Sequence, residues 1–206
     1  MKSINKILTV ILSILAISFF GCKKEAEKTV EIPIVKITNA EVEFAYKNAS
    51  DVYGGLKYGY LNYNYDDKLL DNDGYEWYRV TEGGIKTFKD IEPYLKKYFS
   101  DKIANEIMNK IHNKKYGIFL KEINGVLYAA PEGRGDDFRN GEETYTYTKV
   151  NDYKIIIHVK VKKYVDYDNR DVFSFETFNF VYENLDGKKW VFTSFPYFRW
   201  AYLENE

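Results

Sequence analysis

An α+β fold, with N-terminal helices packed on one face of a curved antiparallel sheet built from successive hairpins, is predicted by three observations. Apolar residues recur at the helical period over residues 42–56 and 91–111 and at the strand period beyond residue 118. The dipeptides Asn124-Gly125 and Asp186-Gly187 separate short runs of strand-forming residues, as hairpin turns do. Aromatic residues make up 18% of the chain, including 20 Tyr and 14 Phe, and flat rings suit a pleated surface. Helices ahead and strands behind is the order of an α+β domain rather than of repeated βαβ units.

The elements follow in order. Thr38 with Glu41 three residues on is a capping box, and Ile37 is placed to staple onto Val42. Val42, Ala45, Tyr46, Ala49, Val52, Tyr53 and Leu56 then share one helical face, with Gly54-Gly55 expected to end the helix or loosen its last turn. Residues 58–65 and 75–80 alternate as strands around a polar loop at 66–74. After Gly83-Gly84, Asp90 is the expected N-cap of a second helix with Pro93 in its first turn, and Ile91, Tyr94, Leu95, Tyr98 and Phe99 form its buried face. Ser100-Asp101 caps a third helix, whose stripe is Ile103, Ala104, Ile107, Met108 and Ile111.

Residues 118–123 and 126–130 form the first clear hairpin, across Asn124-Gly125. A loop at 131–143 follows. Residues 144–150 and 153–165 pair across Asn151-Asp152, with Ile155, Ile157, Val159 and Val161 facing the core and His158, Lys160 and Lys162 facing away. Residues 172–183 and 189–195 close the sheet across Asp186-Gly187.

The amino-terminal residues are an address rather than fold. Lys2 and Lys6 precede an apolar run, Ile7 to Phe20, of the length of a secretory signal and too short to span a bilayer comfortably. It ends in Phe19-Phe20-Gly21-Cys22, which resembles the lipobox of bacterial lipoproteins, although leucine is commoner than Phe19 at its position. That resemblance implies cleavage before Cys22, acylation of Cys22, and a lipid anchor on the extracytoplasmic side of a membrane of the bacterial envelope. The expected organisation is a signal peptide at 1–21, the acylated cysteine and a charged tether at 22–36, and a single domain at 37–206. Cys22 is the single cysteine, so no disulfide supports the fold. With 30 basic residues against 31 acidic, nucleic acid is not expected as a partner, and the protein is taken as a monomer.

Catalytic chemistry finds little footing in the sequence. No Gly-x-Ser-x-Gly elbow is present, and His112 and His158 are the two histidines, both expected on the surface. The aspartates at 66–73 and 166–171 miss calcium-loop spacing, since Leu69 and Val80 stand where Asp and Glu should, so neither a metal nor another cofactor is expected. Surface aromatics such as Tyr65, Tyr75 and Trp77 could stack on sugars or a protein, or simply pack in the sheet. The stretch Glu132-Gly133-Arg134-Gly135-Asp136-Asp137 is the strongest binding candidate, because glycines permit close approach and the carboxylates follow a rigid hairpin.

The order of these pieces resembles the IseA family of DL-endopeptidase inhibitors. The likeness rests on the initial helix at 41–56, the aromatic strand at 75–80, and Tyr94-Leu95-Lys96-Lys97-Tyr98-Phe99-Ser100-Asp101 with its following helix. It continues in Asn124-Gly125-Val126-Leu127-Tyr128 ahead of the acidic loop and in Asp186-Gly187-Lys188-Lys189-Trp190-Val191. Similar helix-then-hairpin patterns occur in cystatin-like and nuclear-transport-factor-like folds. The resemblance implies a non-catalytic domain that inhibits peptidoglycan endopeptidases of the NlpC type by occluding their cleft, with Glu132, Arg134, Asp136 and Asp137 as the physically chosen contact residues. The alternative is a lipoprotein that binds a small envelope ligand or a protein partner without inhibiting anything.

Overall fold

The helix predicted after Thr38 forms as α1 (Asn39–Tyr58). The Glu41 carboxylate accepts hydrogen bonds from the Thr38 N–H at 2.7 Å and hydroxyl at 2.8 Å, which satisfies the helix entry as a capping box does. Val42, Tyr46, Ala49, Val52, Tyr53 and Leu56 are buried along one face. Gly54-Gly55 do not end this helix; Gly54 instead admits the side chain of Tyr197, whose hydroxyl would lie 2.7 Å from an added methyl group. The structure, a computed structural model, describes residues 36–58, 61–112, 120–130, 137, 139–166, 168 and 170–198.

Strands β1 (Tyr63–Leu70) and β2 (Glu76–Val80) pair antiparallel, so the first strand starts later than expected and takes in most of the run assigned to a loop. Cross-strand pairing overrides the polar composition. Leu69 stands opposite Trp77, Lys68 Nζ donates to Glu76 at 2.5 Å, and Arg79 reaches Asp67 at 3.2 Å across a register shift between Asn64 and Lys68. Asp71 closes the turn, accepting from the N–H groups of Asp73 and Tyr75 and from Trp77 Nε1 at 2.8 Å.

A short 3-10 turn (Glu82–Gly84) leads to α2 (Phe88–Leu95). Its N-cap is Thr87, not Asp90. Asp90 occupies the third helical position and accepts from the Thr87 N–H at 2.8 Å and hydroxyl at 3.0 Å, so Pro93 falls inside the helix rather than in its first turn. The helix also stops before Tyr98 and Phe99. Phe99 bridges to Phe192, and hydrogen bonds from Phe192 N–H to Tyr98 O and from Ser100 N–H to Phe192 O draw the chain into extended geometry. Helix α3 (Asp101–His112) then buries Ile103, Ala104, Ile107 and Ile111 as its spacing predicts.

Strands β3 (Leu120–Ile123) and β4 (Val126–Ala129) meet at Asn124 and Gly125, whose φ values of 51° and 74° are the left-handed pair of a type I′ turn. The remaining strands are β5 (Asn140–Asn151), β6 (Lys154–Tyr164), β7 (Val172–Asn184) and β8 (Trp190–Ser194). β5 begins inside the expected loop at 131–143, and its turn to β6 is Asp152-Tyr153, because Asn151 pairs with Lys154.

The molecule is α+β, and its hairpins divide between two four-stranded antiparallel sheets, ordered β1-β2-β4-β3 and β5-β6-β7-β8. One core joins both sheets to the helices. Tyr46 meets Phe180 edge-on at 4.8 Å between ring centres, Phe99 meets Phe195 at 5.2 Å, and Ile155, Ile157, Val159 and Val161 lie beneath them, all buried. Much of the aromatic surplus is thus core. All described residues belong to one compact unit, Pro33–Glu206, and among them no helix is long and apolar enough to cross a membrane.

Candidate functional site

The acidic stretch leaves one sheet and enters the other. β4 delivers it from Ala129 and Ala130, both buried, and β5 receives it at Asn140. Of the residues expected to meet a partner, Asp137 is described, whereas Cys22, Glu132, Arg134 and Asp136 lie outside the described residues.

Asp137 corrects the expectation placed on it. Its side chain is 2% exposed, and its carboxylate is gripped by Arg139 through Nε at 3.1 Å, Nη2 at 3.1 Å and the backbone N–H at 3.0 Å. A bidentate guanidinium pair is directional and strong, so this carboxylate is committed inward and is not offered to a partner. Its backbone carbonyl accepts from the Asn140 N–H at 2.8 Å, and Arg139 O accepts from the Tyr164 N–H at 2.8 Å, tying the clamp to β5 and β6.

Lys163 stands beside this clamp on the core side of β6. It is 8% exposed, donates to Asn140 Oδ1 at 2.5 Å and lies 3.2 Å from Glu176 Oε2. Burial alone would raise the Asp137 pKa, but the Arg139 hydrogen bonds, together with the positive charges of Arg139 and Lys163, outweigh it and hold the carboxyl below its ordinary value. The sequence carries a signal for Lys163: it continues the alternation of Ile155, Ile157, Val159 and Val161, and a lysine in a core row needs polar partners.

His158 lies on the outer side of β6 as expected, and it has acquired partners. Its Nδ1 is 2.7 Å from Asn179 Oδ1 and its Nε2 is 2.8 Å from Thr148 Oγ1, which suits a ring that donates from Nδ1 and accepts the threonine hydroxyl at Nε2. The connectivity is that of a hydrolase triad. The setting is not: these residues stand in exposed hydrogen bonds on an open sheet face, where water is not excluded from a reacting group. His112 closes α3, and its side chain lies outside the described residues. Among the described residues no three His, Cys, Asp or Glu side chains gather to hold a metal ion.

No family model matches this chain. A search of curated proteins finds no match either.

Proposed function

We propose that the chain is a lipid-anchored envelope protein whose folded domain binds a peptidoglycan endopeptidase of the NlpC type and occludes its cleft. The observation that carries this reading is the built base of the acidic loop. Ala130 on one side of this stretch and Asp137 on the other are both buried, and Asp137 is paired with the partly exposed Arg139, so the flanking residues are held by the scaffold. Anchored ends reduce the conformational freedom a loop loses on binding, which leaves more of its contact energy for affinity. Glu132 and Asp136 supply the negative charge of this stretch. Their carboxylates can approach the protonated histidine of a cysteine–histidine pair, while Gly133 and Gly135 permit entry to a narrow cleft.

The likeness to IseA-type inhibitors supports the target class, and the Cys22 context supports the compartment. A domain acting by contact needs no cofactor and no nucleophile of its own.

The test measures muropeptide release from peptidoglycan by such an endopeptidase with increasing amounts of the chain. Release slows in proportion to added chain, and the double substitution Glu132→Ala, Asp136→Ala weakens the effect by about tenfold, the loss of roughly 1.4 kcal/mol of binding. Undiminished release across a panel of these enzymes rejects the activity. An equally potent double variant rejects the loop.

A further inference from the structure

We propose that β5 is a docking edge for a second copy of this chain, the two copies pairing antiparallel about Thr146 so that their β5-β6-β7-β8 sheets become continuous. β5 lies at the end of its sheet, and among the described strands β6 alone pairs with it. Sheet edges are normally blunted against such pairing, and the other three edges are. β8 is taken by the segment Tyr98 to Ser100 through hydrogen bonds with Phe192, β3 has 4 residues, and β1 is broken by a register shift between Asn64 and Lys68. β5 differs. From Glu143 to Lys149 it runs in unbroken register with β6, bounded by a shift on either side and without a proline.

The direction of its backbone groups follows from its neighbours. Asn184 N–H donates to Tyr153 O, so odd-numbered residues of β6 bond to β7 and even-numbered ones to β5. His158 stands opposite Thr146 and Lys160 opposite Thr144. Thr144, Thr146 and Thr148 therefore turn their backbone groups inward, and Glu143, Tyr145, Tyr147 and Lys149 turn theirs toward the outer edge.

This run is complementary to itself when reversed. A two-fold axis at Thr146 sets Tyr145 against Tyr147, Thr144 against Thr148 and Glu143 against Lys149, each pair occurring twice. A lysine on an edge deters pairing with most strands, but here a carboxylate answers it. Lys149 is otherwise held by Asp152 at 2.5 Å, an exposed pair that opposes its sharing only weakly. Moving the axis by one residue in either direction sets Glu143 against Asn151 or Tyr147 and matches no charge. The self-match selects a second copy over an unrelated extended peptide, and its register over the neighbouring ones.

The pairing does not involve the acidic stretch, so its failure leaves the inhibitor reading untouched. The test uses the full chain carrying Cys22→Ser and Thr146→Cys, so that position 146 holds the one thiol. Across a non-hydrogen-bonded antiparallel pair the Cα atoms lie about 4.5 Å apart, within disulfide reach. Mild oxidation with diamide is expected to give a covalent dimer. Thr144→Cys alone and Thr148→Cys alone do not cross-link, since each lies about 14 Å from its own copy, but a mixture of the two does. Lys149→Glu sets carboxylates against each other at both ends of the pairing and slows the Thr146→Cys cross-link about tenfold, with unchanged circular dichroism. The proposal is overturned if the chain carrying Cys22→Ser alone is monomeric by light scattering, if positions 144, 146 and 148 cross-link equally well on their own, or if Lys149→Glu has no effect. Cross-linking of position 146 to a different polypeptide in place of a second copy also overturns it and marks β5 as an edge for another partner.

Discussion

Asp137 shows how a side chain chosen for contact can belong to the scaffold. Its sequence context, acidic and beside glycine, carries the same letters whether the carboxylate points outward or inward. What decides is Arg139 two residues on, which folds back onto the carboxylate just ahead of β5, which starts at Asn140. Asp137→Asn removes the charge that Arg139 answers. Because the Arg139 side chain is 34% exposed, the expected loss is about 2 kcal/mol, below the 3–5 typical of fully buried pairs, and urea unfolding at neutral pH measures it. The pH dependence has a defined sign. A carboxyl with a lowered folded-state pKa stabilises the fold above its ordinary value of 3.8, and this contribution disappears as the pH falls through the lower, folded value. The gap between parent and variant therefore narrows below about pH 3.8 and is constant above it. A gap that does not change between neutral and strongly acidic pH would show that the ionised carboxylate is not what holds the clamp.

At the scale of elements, sequence periodicity located the faces and tertiary pairing set many of the ends. The stripes of α1 and α3, the alternation of β6 and the Asn124-Gly125 turn were readable because burial on one side imposes a repeat. The run at 66–70 was not readable as strand, since its residues are poor strand formers and their cross-strand partners, Glu76 and Arg79, are supplied by another element. The apolar face of α2 likewise appeared to continue through Tyr98 and Phe99, because i+7 and i+8 spacing cannot reveal that β8 claims them. Thr87 and Asp90 both have N-cap chemistry, and the four-residue pattern Thr-x-x-Asp favours Thr87 once it is considered as a box. Thr87→Ala is accordingly expected to cost about 1 kcal/mol in thermal or urea unfolding. A loss no greater than that of an alanine substitution at a solvent-facing position in mid-helix would argue against this cap.

At the scale of the whole molecule, an aromatic core and two sheets hold Ala130 and Asp137, which flank the proposed contact residues, and the proposed address is Cys22. Fold class was legible because the order of periodicities survives packing. The candidate site was legible only in part: position along the chain marked the acidic stretch, but the clamp that follows it depends on residues far apart in sequence, Asp137 with Lys163. The proposed membrane attachment is tested by Cys22→Ser. That variant is expected to lose palmitate labelling and to leave the membrane fraction, and a variant still labelled with palmitate would place the lipid elsewhere. Occlusion of a catalytic cleft makes a stronger demand, because it must hide the enzyme's nucleophile. The most direct measurement is the rate at which iodoacetamide alkylates the catalytic thiol of an NlpC-type endopeptidase in the presence of the chain carrying Cys22→Ser, which has no thiol of its own. One equivalent of chain is expected to protect that thiol, with protection lost in the Glu132→Ala, Asp136→Ala variant; alkylation at the same rate under saturating chain would contradict the account.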